Sequence, residues 1–354
     1  MAVLQVNGQE EINNKKFLFS KNLILWHKRN GRHNLPWQTK KTPYRVWISE
    51  VMLQQTQVKT VLPYYKNFIK RYPTIKKLAD SELDDVLKLW TGLGYYRRAE
   101  NIYKSSQILK NQYKYKFPKL YEEIIDLPGI GKSTAGAILS LAYNKKYPIL
   151  DGNVKRVIKR YFAVRGNGNK EKNLWELSEK LLPDHMNSIY TQSIMDLGSL
   201  ICLKKNPLCD KCPIKSNCKS LELNLIDKIP ENIKRITKKE QKLYWVIIQH
   251  KNKKDKVLMK KNPNTGIWSN LWNFPSFESK NEYKKFLREN SIPGNDLVFH
   301  NFDHNLTHIK LKIYVTKIKL TKKIIQHNFY WKSIYDKIGC PKPVEIVIKK
   351  LKME

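Results

Sequence analysis

Leu127-Pro128-Gly129-Ile130-Gly131-Lys132-Ser133-Thr134-Ala135-Gly136-Ala137 joins a tight Pro-Gly-x-Gly turn to a helix of small residues. Glycine admits the backbone conformation such a turn needs, and it lets main-chain N–H groups approach an anion at the start of the next helix. A helix-hairpin-helix has this form and holds a phosphate backbone without reading sequence. A plain helix–helix connection has the same local pattern, so the reading rests on what surrounds it.

Upstream lies Ile48-Ser49-Glu50-Val51-Met52-Leu53-Gln54-Gln55-Thr56-Gln57-Val58. Ile48, Val51 and Met52, then Val58, Val61 and Leu62, recur at helical spacing, which predicts that Glu50, Gln54 and Gln57 share the other face of one helix. A solvated stripe is the ordinary reading of such a face; the polar run Gln54 to Gln57 reads instead as a surface for hydrogen bonds to bases. Downstream, Pro148-Ile149-Leu150-Asp151-Gly152-Asn153 sets an acid between an apolar run and Gly-Asn, the pattern of a helix N-cap, and that role is compatible with a chemical one. Farther on, Cys202, Cys209, Cys212 and Cys218 follow the spacing Cys-x6-Cys-x2-Cys-x5-Cys, enough to wrap one compact inorganic centre. The single Cys-x2-Cys pair argues against zinc ribbons and fingers, although four thiolates alone leave zinc open. Lys204, Lys205, Lys211, Lys215 and Lys219 would give the loop a positive edge.

The chain of 354 residues carries 67 Lys and Arg against 31 Asp and Glu, a formal charge of +36. Such a field draws polyanions. An A+T-biased genome scatters lysines too, so charge supports a nucleic-acid partner only beside the motifs. Cys340 stands apart from the other four cysteines, which is not the distribution of a secreted disulfide framework. The start of the chain contains Glu10 and Glu11 and no long apolar stretch, so a signal peptide is not expected. The run from Ala137 to Tyr143 is far short of the ~20 residues that span a bilayer. These features predict a cytoplasmic protein of bacterial type, nucleoid-associated when on DNA, with no membrane partner.

The length suggests two or three domains, at roughly 150 residues each. Turns at Leu35-Pro36-Trp37, Tyr72-Pro73, Gly92-Leu93-Gly94 and Pro128-Gly129 punctuate an all-helical region. Strands are expected at Leu243 to Gln249, at Lys256 to Met259, and where Leu311, Ile313 and Val315 alternate with Lys312, Tyr314 and Thr316. The expected layout is a tail over 1–20, a helical domain over 21–220 with the hairpin at 127–138 and the cysteine loop at 202–218, a polar linker over 221–241, and an α+β domain over 242–354.

With the Glu50 helix, the hairpin, Asp151 and the cysteine loop in this order, the chain resembles the endonuclease III superfamily of base-excision DNA glycosylases, and within it the adenine-excising branch. Trp47 to Val58, Trp90 to Tyr96 and Leu150 to Arg156 match closely, and the resemblance covers nearly everything after about Phe17. It implies a multidomain protein: an all-α helix-hairpin-helix glycosylase core with an iron–sulfur loop, followed by a smaller α+β Nudix-like domain. One [4Fe-4S] cluster would sit on the four cysteines. Glu50, protonated, would act as the acid; Asp151, ionised, would stabilise an oxocarbenium-like sugar, with Asn153 as its polar neighbour. DNA contacts would come from Gln54, Gln55, Thr56, Leu93, Tyr95, Arg97, Gly129, Gly131, Lys132 and Ser133, with Tyr95 as a wedge and Arg97 and Arg98 on phosphates. The implied substrate is duplex DNA with adenine opposite 8-oxoguanine or guanine, the adenine being flipped from the stack, and a monomer is expected.

Ser133 separates the branches. Bifunctional members carry there the lysine that forms a Schiff base; here Lys132 falls one position early, which implies a monofunctional enzyme. The segment Gly266 to Pro275 resembles the Nudix-like domain, but Glu278, Glu282 and Glu289 do not form the Arg-Glu-x2-Glu-Glu run of a working pyrophosphatase, so diphosphate hydrolysis is not expected. Where the family reads the opposite base with a Phe-Ser-His turn, this chain has Leu306-Thr307-His308. Two other classes compete. A bifunctional lyase predicts lysine at position 133 and a chain ending soon after the cysteine loop; a non-catalytic iron–sulfur DNA-binding protein has no need of Glu50 and Asp151 together.

Overall fold

A computed structural model describes residues 17–166, 170–231, 237–292, 298–320 and 328–354. Residues 1–16 of the expected tail and 232–236 of the expected linker lie outside the described residues. The chain forms two compact units: Met1–Ala79 with Lys104–Ile233, and Asp80–Tyr103 with Lys234–Glu354. Residues 80–103 therefore group with the C-terminal strands, although they lie in sequence among the helices.

The helices are α1 (residues 17–30), α2 (Pro36–Thr39), α3 (Pro43–Leu53), α4 (Val58–Arg71), α5 (Ile75–Ala79), α6 (Leu83–Trp90), α7 (Arg97–Tyr113), α8 (Tyr121–Ile125), α9 (Lys132–Tyr143), α10 (Gly152–Tyr161), α11 (Lys170–Lys180), α12 (Asn187–Leu200) and α13 (Lys219–Glu222). Phe17 to Ser20, read as tail, already belong to α1.

Pro43 opens α3, where its missing N–H costs nothing, and the Thr42 hydroxyl accepts from the Arg45 N–H at 3.3 Å. Tyr44, Val46, Trp47, Ile48, Ser49, Val51 and Met52 are all buried, so α3 is enclosed on most sides. It stops at Leu53. Gln55 takes φ 55°, a left-handed conformation that no right-handed helix continues, and Gln57 caps α4. The single helix expected through Gln57 is therefore two helices, and the polar run forms the turn between them.

Helix α9 packs against α3 and α12, and α10 packs against α12. Two glycines allow the close approach. A Cβ on Gly136 would fall 2.3 Å from the Pro148 carbonyl oxygen, and one on Gly198 would fall 2.7 Å from the Asn153 Cβ. Both therefore press their helices onto the segment that carries Asp151. Within α12, buried Asp196 accepts from the Arg32 main-chain N–H (2.8 Å), Arg32 Nε (2.9 Å) and Nη2 (2.5 Å), and Gln192 Nε2 (3.1 Å), with His27 Nε2 at 3.3 Å. Burial pushes its carboxyl up, but the bonds from His27 and Arg32 outweigh this and hold it below the usual range. Asp196 thus fastens the end of α1 and the following loop to α12.

In the second unit the described strands are β1 (Lys239–His250), β2 (Lys256–Lys261), β3 (Trp272–Asn273), β4 (Ser276–Phe277), β5 (Val298–Asn305), β6 (Ile309–Leu320) and β7 (Phe329–Ser333), with α14 (Lys280–Glu289) and α15 (Lys342–Leu351). The sheet runs β3-β2-β1-β6-β5, with β4 on β1 and β7 on β2. It is mixed: β1 and β6 are parallel from Lys239↔Ile309 to His250↔Leu320, while β5 and β6 form an antiparallel hairpin. Strand β1 starts inside the stretch read as a linker.

Alternation assigns its faces. Leu243, Trp245 and Ile247 join Leu311, Ile313, Val315, Val344, Val347 and Leu351 in one core, and Val246 and Ile248 join Tyr283, Phe286 and Leu287 in the other. Helix α15 thus covers one face and α14 the opposite one. Among the described residues no helix is long and apolar enough to cross a membrane.

The packing at Gly136 yields a test. Gly136→Ala must move either α9 or the main chain before Asp151, so it is expected to lower stability by about 1–3 kcal/mol, the usual cost of overpacking. Thermal melting of the purified variant measures this, and an unchanged midpoint would contradict the close packing.

Candidate active site and cysteine loop

Three elements of the helical unit meet at the acids. Helix α3 carries Glu50, flanked by buried Ser49 and Val51. Gly129 turns the hairpin with φ 81° while Leu127 and Ile130 anchor it in the core. The Ser133 hydroxyl, on the first turn of α9, accepts from the Leu150 N–H at 3.0 Å, next to Asp151. Gln54 Nε2 donates to the Gly129 carbonyl (3.4 Å) and the Thr134 hydroxyl (3.3 Å), which ties the turn after α3 to the hairpin. Gln55, Gly129, Gly131 and Lys132 are exposed, and Thr56 is half-buried with its hydroxyl donating to the Gln54 carbonyl at 3.3 Å.

Asp151 caps α10, and its Oδ1 accepts from the Asn153 N–H (2.7 Å) and the Val154 N–H (2.8 Å). The two carboxyls are differently placed. Burial pushes Glu50 up to about 8, and the negative charge of Asp151 adds to the rise. Burial raises Asp151 as well, but its two N–H bonds and Arg156 pull against that. Both carboxyls are thus raised by burial, but only Asp151 has donors that favour its anion, which makes Glu50 the better placed of the two to hold a proton.

Helix α10 continues toward the cysteines. Arg156 donates to Asn153 Oδ1 (2.9 Å), the Gly198 carbonyl (2.5 Å) and the Cys202 carbonyl (2.7 Å). Arg160, 2% exposed, donates to the carbonyls of Ile229 (2.7 Å), Leu203 (2.6 Å) and Lys204 (3.2 Å) and lies 3.4 Å from Cys202 Sγ. Cys202, Cys209, Cys212 and Cys218 line one cavity together with Val157, Leu197 and Ile214. Burial pushes the Cys212 thiol up to about 12, the Ile214 N–H opposes this, and the other three thiols add to it. Among the described residues no three His, Cys, Asp or Glu side chains are gathered tightly enough for a single metal ion; the sulfurs stand around the cavity wall. Lys204, Lys205, Lys211, Lys215 and Lys219 are exposed around it.

The remaining expected contacts lie in the second unit. Tyr95 is 47% exposed and has φ 51°, and Arg97 is exposed. Two of the residues expected at DNA are buried. Leu93, 6% exposed, packs inward between its two glycines. Arg98, 8% exposed, gives Nη2 to the Gly94 carbonyl (3.1 Å) and Nε to the Tyr95 carbonyl (3.4 Å), so it braces its own turn. At the β5–β6 hairpin, Leu306 packs against the core while Thr307 and His308 are exposed. The Leu306 N–H donates to the Ile309 carbonyl (2.8 Å), and Lys238 Nζ donates to the Leu306 carbonyl (2.6 Å). Sequence reasoning missed Arg156 and Arg160. Their signal was two arginines four residues apart on one face of the basic helix that follows Asp151.

The family of HhH-GPD superfamily base excision DNA repair proteins matches residues 48–184, and the NUDIX domain family matches residues 244–350. An adenine DNA glycosylase of Buchnera aphidicola subsp. Baizongia pistaciae is 45% identical over 345 residues, 95% of this chain and 97% of that protein. One from Arabidopsis thaliana is 30% identical, covering 83% of this chain and 56% of its own length. A thermostable thymine-DNA glycosylase superposes with a TM-score of 0.55 at 30% identity over 60% of this chain and 98% of that one. Endonuclease III in a non-covalent DNA complex, at 21% identity and a TM-score of 0.52 over the same shares, adds likeness of fold alone. Identity sustained across almost the whole length of both proteins, on a base-excision fold followed by a Nudix-like domain, shows that the chain belongs to the adenine DNA glycosylase family and is a DNA N-glycosylase.

Proposed function

We propose that the protein is a monofunctional glycosylase that removes adenine paired with 8-oxoguanine or guanine, using Glu50 and Asp151. What supports this most is the pair of neighbouring buried carboxyls, Asp151 holding two main-chain N–H groups while burial pushes Glu50 up to about 8. Glu50 gives its proton to an imidazole-ring nitrogen of the flipped adenine. The sugar–base bond then breaks, and its electron pair leaves with the base. The Asp151 anion stabilises the oxocarbenium-like sugar. Water adds to the anomeric carbon and returns a proton to the Glu50 carboxylate. Asn153 acts on this pair by donating its main-chain N–H to Asp151 and by accepting from Arg156 through its side-chain oxygen. Ser133, bonded to the Leu150 N–H, supplies no amine for a Schiff base. The protein is read as a cytoplasmic monomer.

Cys202, Cys209, Cys212 and Cys218 would hold one [4Fe-4S] cluster. Sulfurs spread around a cavity suit a polynuclear centre better than one zinc ion. Buried Arg160 supports this reading: its hydrogen-bond partners among the described residues are carbonyls and a sulfur, so thiolates would supply the charge that a buried cation requires. When bound, the cluster holds the loop rigid and keeps its lysines toward phosphates.

Glu50→Gln is expected to abolish single-turnover excision while retaining binding of the mispaired duplex. In the native chain the rate falls as pH rises through about 8, where Glu50 loses its proton. The linked stability has a defined sign. A carboxyl whose folded pKa is raised binds more protons folded than unfolded, so it destabilises the fold increasingly as pH climbs from its ordinary value of 4.5 toward about 8. Glu50→Gln should therefore melt higher than the native chain above pH 8 and alike near pH 4. A native rate flat from pH 6 to 10 would remove Glu50 as the acid.

Anaerobically purified protein should contain about four iron atoms with matching acid-labile sulfide; stoichiometric zinc with no iron would overturn the cluster. On duplexes varied opposite adenine, 8-oxoguanine and guanine should outrank thymine, and borohydride should trap no covalent adduct. Removing both Thr307 and His308 side chains should narrow the margin of 8-oxoguanine over guanine, and an unaltered ratio would take the opposite-base reader away from that turn.

A further inference from the structure

Within the second unit, the turn from Gly92 to Tyr96 is held from three sides. Trp90 Nε1 donates to the Gly94 carbonyl at 3.0 Å. The Arg98 guanidinium lies 5.4 Å from the Trp90 ring centre and 5.3 Å from that of Tyr95, besides its bonds to the Gly94 and Tyr95 carbonyls. The Tyr96 hydroxyl accepts from the Gly92 N–H at 3.1 Å and donates to the Cys340 carbonyl at 2.9 Å. One phenol thus links both ends of the turn to the start of the segment entering α15.

Neighbouring contacts reinforce the link. Thr91 Oγ1 reaches the Ile338 carbonyl at 3.4 Å, and Glu100 accepts from Ser269 Oγ (2.7 Å) and Asn270 Nδ2 (3.2 Å). Asp84 pairs with Lys261. A Cβ on Gly339 would fall 2.9 Å from the Leu87 Cβ.

Tyr95 is the one residue of this turn that combines a left-handed backbone with a half-exposed ring. A non-glycine residue there is strained and persists only where its surroundings fix it. An aromatic ring fixed in advance loses less freedom when it enters a base stack.

We propose that Tyr96 is a positioning residue for Tyr95. Through the Gly92–Tyr96–Cys340 bridge the C-terminal chain sets the turn so that the Tyr95 ring meets a mispair already aimed, with the Arg98 guanidinium 5.3 Å from the ring centre as a second brace. This rests on the reading of Tyr95 as the side chain inserted at the mispair.

A double-mutant cycle in the full chain tests it, with single-turnover adenine release as one readout and the fluorescence of 2-aminopurine beside the mispair, which reports unstacking, as the other. Tyr96→Phe removes only the hydroxyl. It should slow both signals roughly fivefold in the native background and leave them nearly unchanged in a Tyr95→Ala background, because residues that act through one another are not additive. Arg98→Lys keeps the charge but loses the paired carbonyl contacts, and it should show the same dependence on Tyr95. A Tyr96→Phe effect that persists at full size without Tyr95, or no effect in the native background, overturns the proposal. If Tyr95→Ala alone leaves both signals intact, the insertion reading itself falls, an outcome separate from the other two.

Discussion

Two main-chain N–H groups at the start of α10 hold one oxygen of Asp151, and the helical unit is arranged around that contact. A capped carboxylate is useful only if its helix is fixed. Helix α10 is fixed at both ends: Gly198 lets α12 press against Asn153, and Arg160 fastens the last turn to the cysteine loop. Gly136 allows α9 the same closeness to Pro148 on the other side. The segment from Pro148 to Asn153 is thus clamped between two helices whose small residues have little other purpose there. Arg156 joins the two ends through Asn153 and the Cys202 carbonyl, so the cysteine loop and the acid belong to one rigid body.

That rigidity gives the electrostatics their meaning. Two carboxyls of similar intrinsic acidity are both raised by burial here, and they differ because only Asp151 has hydrogen-bond donors that oppose the rise. In water the difference would vanish. Asp151 also raises Glu50 directly, so any negative charge on Asp151 helps to keep the proton on its neighbour. The cost is a buried acid that weakens the fold at alkaline pH, a compromise expected where function rather than stability selects a residue.

Much of this could be read from the chain because the relevant signals are local. The Pro-Gly-x-Gly turn, the N-cap at Asp151, the cysteine spacing and the alternation of Leu311, Ile313 and Val315 each depend on a few adjacent residues. What could not be read depends on partners far away in sequence. Nothing near Arg98 distinguishes it from Arg97, yet one is buried under Tyr95 and the other is exposed, since only the fold decides which side of α7 meets Trp90. Leu93 between two glycines looked like a surface turn and is core. Helical periodicity likewise ran through Gln54 to Gln57, where a single left-handed residue, Gln55, divides the helix. Apolar spacing cannot register such a break.

In the second unit the acids after the Nudix-like segment serve local structure. Glu282 sits in α14, but its carboxylate accepts from the Glu278 N–H at 3.1 Å while its own N–H donates to Ser279 Oγ at 3.1 Å, a reciprocal cap that spends the acid on starting the helix. Glu289 lies 3.7 Å from Lys285. Both carboxylates thus have local partners, one at the helix start and one a turn away along α14. The same unit instead offers polar side chains at an exposed hairpin tip and a backbone carbonyl at Cys340 that anchors Tyr96. With residues 80–103 built into it, the unit has become a holder for a turn of the glycosylase chain, and its sheet, covered on both faces, supplies the stiffness that such a holder needs.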